Sequence, residues 1–144
     1  YEGTALREGS EEYLDTEKFQ YRPRDWAAAA AAGRTLAPYL TDLNRWRREH
    51  PALQDLRSLS FHHTDNDKVL AYSKRDGDDV IAVVVTLDPF NDQSATITWD
   101  LQALELTAPF TAHDLVTGQT WNWDATTYAE LRPREHVAHI VHVR

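Results

Sequence analysis

The sequence has no cysteine, no methionine, only five glycines and no long apolar run. Without cysteine there is no disulfide and no thiolate metal site, which fits a reducing compartment. No stretch approaches the roughly 20 apolar residues that a membrane span needs. The run Ala27 to Ala32 lacks the basic flank and leucine-rich centre of a signal peptide, so a cytoplasmic location is expected. An excess of positive charge is missing too: 15 Lys and Arg stand against 23 Asp and Glu, a formal net charge of -8. That balance disfavours nucleic acid, whose phosphates are bound by clustered cations. The glycines are scattered, so no phosphate-cradling loop exists, and Ser58, Ser60, Ser73 and Ser94 all lie outside a G-x-S-x-G elbow. With no methionine and an opening Tyr1-Glu2-Gly3, the chain is expected to be a piece of something longer.

What is there suffices for a folded domain: 144 residues, 42% hydrophobic, with five Trp, six Tyr and four Phe. The chain divides into two halves of different period. Residues 1 to about 55 read as loop and helix. Leu36, Leu40, Leu43 and Trp46 recur at three and four residues and form one apolar stripe, with Pro38 at the first helical position and Pro51 as the stop. Arg45, Arg47 and Arg48 favour the carbonyl end of that helix. Asp25 is the expected cap of a short extra turn in the alanines, ended by Gly33. A stripe of this kind must pack on the second half or on chain outside this sequence.

From about residue 56 the pattern alternates. "LSFHHT", "KVLAYSK", "DVIAVVVTLD", "SATITWDL", "PFTAHDLV", "TWNWD", "TYAELR" and "VAHIVHVR" are about eight short strands parted by turn chemistry such as Asp76-Gly77-Asp78 and Thr117-Gly118. In the fourth, Ala95, Ile97, Trp99 and Leu101 face one way. Ile81 to Val85 is apolar on both faces, which predicts the central and most buried strand. An antiparallel β-sandwich is expected.

Seven histidines raise a metal question. His62 and His63, with Asp65 or Asp67, have the ligand types, but adjacent strand residues point to opposite faces and share one ion poorly. His139 falls on the face of Val137, Val141 and Val143 and reads as a core or edge histidine; no metal and no cofactor are expected. Glu2, Glu11, Glu12, Asp15 and Glu17 offer carboxylates, yet spacing in sequence does not show two of them at the separation that retaining glycoside chemistry needs. Trp121 and Trp123 share a sheet face, where they would form either a sugar-stacking platform or part of the core.

Taken in order, "EEYLDTEKFQYRPRDW", "LNRWRREHPALQ", "FHHTDNDKVLAYSK", "VVVTLDPFNDQ" and "HDLVTGQTWNW" through "VAHIVHVR" make a series over the whole chain. It resembles the C-terminal portion of bacterial maltose-1-phosphate maltosyltransferases, of glycoside hydrolase family 13, the α-amylase family. The resemblance implies a mixed fold: residues 1–55 as the loop and last helix ending a (β/α)₈ barrel, and residues 56–144 as a C-terminal β-sandwich domain. It also implies transfer of maltosyl from α-maltose 1-phosphate to the non-reducing end of an α-1,4-glucan with retention, releasing phosphate.

The family's Asp nucleophile, Glu acid/base and second Asp have no matching positions, so this stretch alone is expected to be inactive. The family's Lys-Tyr pair that binds the donor's maltosyl group matches Lys18 and Phe19. The ammonium offers three donors to sugar hydroxyls, while Phe19 keeps the ring and loses the hydroxyl. Two alternatives remain open: a carbohydrate-binding module using Trp121 and Trp123, and a structural sandwich that buttresses the barrel or a dimer contact.

Overall fold

The structure, a computed structural model, describes Glu8, Gly9, Pro23 and residues 25–144. Lys18 and Phe19 lie outside the described residues. The chain parts into two compact units, Tyr1–Arg45 and Trp46–Arg144.

The helices form where the sequence signals them. In α1 (Trp26–Ala31) the Asp25 carboxylate caps the start by accepting the Ala28 N–H at 2.8 Å, and Gly33, at φ 65°, follows the last turn. Helix α2 (Ala37–Glu49) begins one residue ahead of Pro38 and carries Arg47 and Arg48 in its last turn. Its stripe is unevenly covered. Trp46 is buried and Leu43 half-buried, while Leu36 and Leu40 are 48% and 51% exposed. No helix among the described residues is long and apolar enough to cross a membrane.

All eight expected strands are present: β1 (Leu59–Thr64), β2 (Val69–Asp76), β3 (Asp79–Thr86), β4 (Gln93–Thr98), β5 (Phe110–Asp114), β6 (Thr120–Trp123), β7 (Thr126–Leu131) and β8 (Ala138–Val143). They form one antiparallel sheet in the order β6-β5-β8-β3-β2-β1-β4-β7. The expected sandwich is thus a single sheet turned back on itself, and β1 is the corner. Leu59 to His62 pair with β2, whereas His63 and Thr64 pair with β4. The β2–β3 hairpin turns at Gly77, whose φ of 58° lies in the left-handed region that glycine enters without strain.

The fourth strand departs from expectation at its end. It stops at Thr98, and Leu101 opens a one-turn helix, α3 (Leu101–Leu104), instead of extending the strand. The reason is local: the Asp100 carboxylate accepts the Gln102 and Ala103 N–H groups, an N-cap that outcompetes a ladder. Leu101 still packs against the core.

The inner face holds the core. Register sets Val80, Ala82 and Val84 of β3 beside Val143, Val141 and His139 of β8, and Ile97, Leu104, Phe110, Ala112 and Leu131 are among the residues packed in the core cluster. The outer face of β3 is also covered, as expected for its two apolar faces: Ile81 and Val83 are buried there. A 3₁₀ turn, Pro51–Leu53, packs over β2 and β3 and buries Ala52.

Because Leu131 is fully buried in the core cluster, Leu131→Ala is expected to cost about 2–5 kcal/mol of stability in urea unfolding. Phe90→Ala, at an 81% exposed side chain, should change it by no more than about 0.5 kcal/mol.

Candidate functional site

The two ends of the sheet, β6 and β7, are consecutive in the chain but do not pair with each other. The seam between them opens as a cleft of about 630 Å³ lined by residues of both strands and of the segment leading to β8. Alternation along β6 turns Trp121 and Trp123 to one face, as the sequence indicated. The structure divides the two readings of that pair. Trp123 is buried in a run of three indoles, 5.4 Å from Trp99 and 6.0 Å from Trp121, with both pairs near parallel. Trp121 is only half-buried and lines the cleft. The stack is anchored on β7, where Thr127 Oγ1 accepts the Trp99 indole N–H at 3.1 Å.

Behind Trp121 stands His139, whose ring meets the indole edge-on at 5.6 Å. Its Nδ1 lies 2.9 Å from Asp114 Oδ2 and its Nε2 lies 2.9 Å from the Glu130 carbonyl oxygen. Both partners only accept, so both ring nitrogens must donate and the ring is an imidazolium. Burial opposes that charge, but the bonds to Asp114 and Glu130 and the charge of Asp114 outweigh it and hold the His139 pKa above its ordinary value. Burial likewise opposes ionised Asp114. Hydrogen bonds from His139, Thr117 and Val116 win there and keep its carboxyl below the usual range.

Three of the charged side chains that line the cleft pair with one another. Arg132 bonds Glu130 at 3.0 Å and lies 3.6 Å from Glu135. The exposed Tyr128 donates its hydroxyl to Glu130 at 3.3 Å.

Two other histidine clusters have structural explanations. His62 is buried and His63 exposed, the opposite-face arrangement adjacent strand residues impose. His62 Nδ1 accepts the Asp100 N–H at 3.1 Å, so its Nε2 carries the proton and donates to Ser73 Oγ at 2.8 Å. A ring so fixed cannot serve as a base toward that serine. Burial pushes its pKa down against the opposing charge of Asp100.

His50, Asp79 and His142 bring one ligand atom each to within 4.8 Å of one another and could hold a divalent ion. The same contacts dock the 3₁₀ turn: Asp79 meets His50 Nδ1 and the Ala52 N–H, each at 2.9 Å, and His142 Nε2 at 3.4 Å. Burial, together with the neighbouring His50, pushes the His142 pKa down. Sequence reasoning weighed His62, His63 and His139 and missed both Asp114 and the His50–Asp79 contact. Asp114 carried one signal, its place three residues ahead of the Thr117-Gly118 turn; the other contact spans 29 residues and leaves no local trace.

Residues 61–143 match the family described as GLGE, C-terminal. The chain is 54% identical over 147 residues to alpha-1,4-glucan:maltose-1-phosphate maltosyltransferase 2 of Streptomyces coelicolor, covering 99% of this chain and 22% of that one. It is 46% identical to the maltosyltransferase of Mycolicibacterium smegmatis, covering 99% and 21%. The chain therefore spans about a fifth of the length of these curated relatives. Among solved structures it resembles AmyP in complex with maltotriose, with TM-score 0.56 and 19% identity over 74% of this chain and 20% of that one. It also resembles an Anoxybacillus α-amylase, with TM-score 0.54 and 17% identity over 75% and 22%. At that identity the likeness is one of fold.

The His139–Asp114 pair sets a pH dependence. With its folded pKa raised, His139 stabilises the fold fully below its ordinary value of about 6.5 and loses that contribution as pH rises through the folded value. With its folded pKa lowered, Asp114 contributes above its ordinary value of about 3.9 and loses the contribution as pH falls through the folded value. His139→Ala should cost about 3–5 kcal/mol near pH 6, because it strands a buried carboxylate. The gap from wild type, read by urea unfolding, should narrow toward pH 9.

Proposed function

The chain belongs to the family described as GLGE, C-terminal, and from that membership we propose that it is the C-terminal portion of an α-1,4-glucan:maltose-1-phosphate maltosyltransferase. The whole enzyme would move maltosyl from α-maltose 1-phosphate to the non-reducing end of an α-1,4-glucan with retention, releasing phosphate. The observation that carries this reading is 46–54% identity across 99% of the chain to maltosyltransferases in which it fills about a fifth of the length.

In this reading residues 1–55 end the catalytic (β/α)₈ barrel and residues 56–144 form the domain that follows it. The half-exposed Leu36 and Leu40 support it, since an apolar stripe on a helix needs a partner surface that a complete barrel would provide. The reacting carboxylates lie in the rest of the enzyme. Lys18 and Phe19 would line the donor pocket, Lys18 donating to the maltosyl hydroxyls and Phe19 supplying an apolar wall. A phosphorylated sugar does not cross a bilayer unaided, so the same reading places the enzyme in the cytoplasm.

Phosphate release from maltose 1-phosphate tests the reading: the full-length enzyme should turn over and the 144-residue chain should not. In the full-length enzyme, Lys18→Ala should raise KM for the donor by about tenfold or more, the loss expected for a charge-assisted hydrogen bond. An unaltered KM would remove Lys18 from the pocket.

A further inference from the structure

We propose that the cleft at the open seam between β6 and β7 is a glucan-holding subsite, in which the Trp121 indole stacks on a glucosyl ring of the acceptor chain. The inference rests on the proposed function for the identity of the glucan and on the cleft itself for its place.

The aromatic surface is there. Trp121 is half-buried with its ring at the cleft, packed on Trp123 on one side and braced edge-on by His139. A pyranose presents a face of C–H groups, and a flat ring already fixed by its neighbours meets that face with little conformational entropy to lose. Tyr128, 62% exposed, adds a second ring from the β7 side of the same cleft.

The polar complement suits hydroxyls. The side-chain amides of Gln119 and Asn122 line the cleft, and neither bonds another described residue. Each offers donors and an acceptor, which is what a sugar hydroxyl requires. The charges exclude the competing ligand class. Asp124, Glu130 and Glu135 line the cleft, and Arg132 is already shared by the last two, so an anion would meet a net negative wall. A neutral, hydroxyl-rich chain meets no such penalty. At about 630 Å³ the cleft is in the range of about 300–1,000 Å³ usual for small-ligand sites.

The site sits on strands whose register is set by ladder pairing, β6 with β5 and β7 with β4, so its side chains are placed before ligand arrives. It would hold a long acceptor by its length while the transfer occurs elsewhere in the enzyme, adding affinity through tethering.

Electrophoresis of the full-length enzyme through native gels containing glycogen reads the subsite directly. Wild type should be retarded, and Trp121→Ala should show a dissociation constant for glycogen raised about tenfold, ~1.4 kcal/mol. Trp121→Phe should keep most of the retardation, and Asn122→Ala, which alters an exposed side chain, should lose part of it. Retardation equal to wild type in both Trp121→Ala and Asn122→Ala overturns the subsite. So does a result in which Trp121→Ala abolishes self-association in sedimentation without altering glycogen retardation, because a second copy of the chain would then be the occupant. Maltosyl transfer by the wild type is measured in parallel: its absence sinks the transferase reading, whereas the variants' retardation decides the cleft.

Discussion

A carboxylate with no access to solvent organises the inner face of the domain. Asp114 is fully buried and accepts from four donors: the Val116 and Ile140 N–H groups, Thr117 Oγ1 and the His139 imidazolium. A buried ion is tolerated only when it is paired and its lone pairs are filled. Meeting that demand ties the end of β5 to the turn before β6 and to the first half of β8. His139, held by this pair, sets the edge against which Trp121 rests. The half-open aromatic wall of the seam is therefore a consequence of a charge in the core.

Asp79 plays the corresponding part on the outer face. It stands at the start of β3 and fastens the 3₁₀ turn through His50 and the Ala52 N–H. The turn covers the second apolar face of β3, so Ile81 and Val83 are as dry as the core side of the same strand. With both faces of the central strand sealed, the openings fall at the ends of the sheet. β6 and β7 stay apart, and the cleft forms where the curled sheet fails to close. The cleft stands on paired strands, and the Arg132 guanidinium that lines it is engaged by Glu130 and Glu135.

Much of this was legible in the residues. The eight strands, the Asp25 cap and the double-faced burial of Ile81 to Val85 follow from period and turn chemistry, which act over a few residues and leave their mark in composition. The assignment of Trp121 and Trp123 to one face follows equally from the period of two. What stayed hidden depended on competition or distance. Asp100 stopped β4 early because its side chain found two backbone donors, an outcome that alternation alone does not weigh. The choice between core and platform for the two Trp had no answer in sequence, since it turns on which of them meets Trp99.

The family, too, was legible, because ordered blocks over the whole chain carry more information than any one motif. By itself the sequence determined where strands and helices begin and which face of each is apolar, since both follow from covalent geometry and the spacing of side chains. Only the tertiary structure decided that one sheet folds over at β1 instead of splitting into two. Tertiary structure also decided that Asp114 meets His139 and that the seam at Trp121 stays open. Those outcomes are set by burial and by contacts between residues tens of positions apart, where the gain from pairing a desolvated charge or covering an apolar face exists only once the chain has closed on itself.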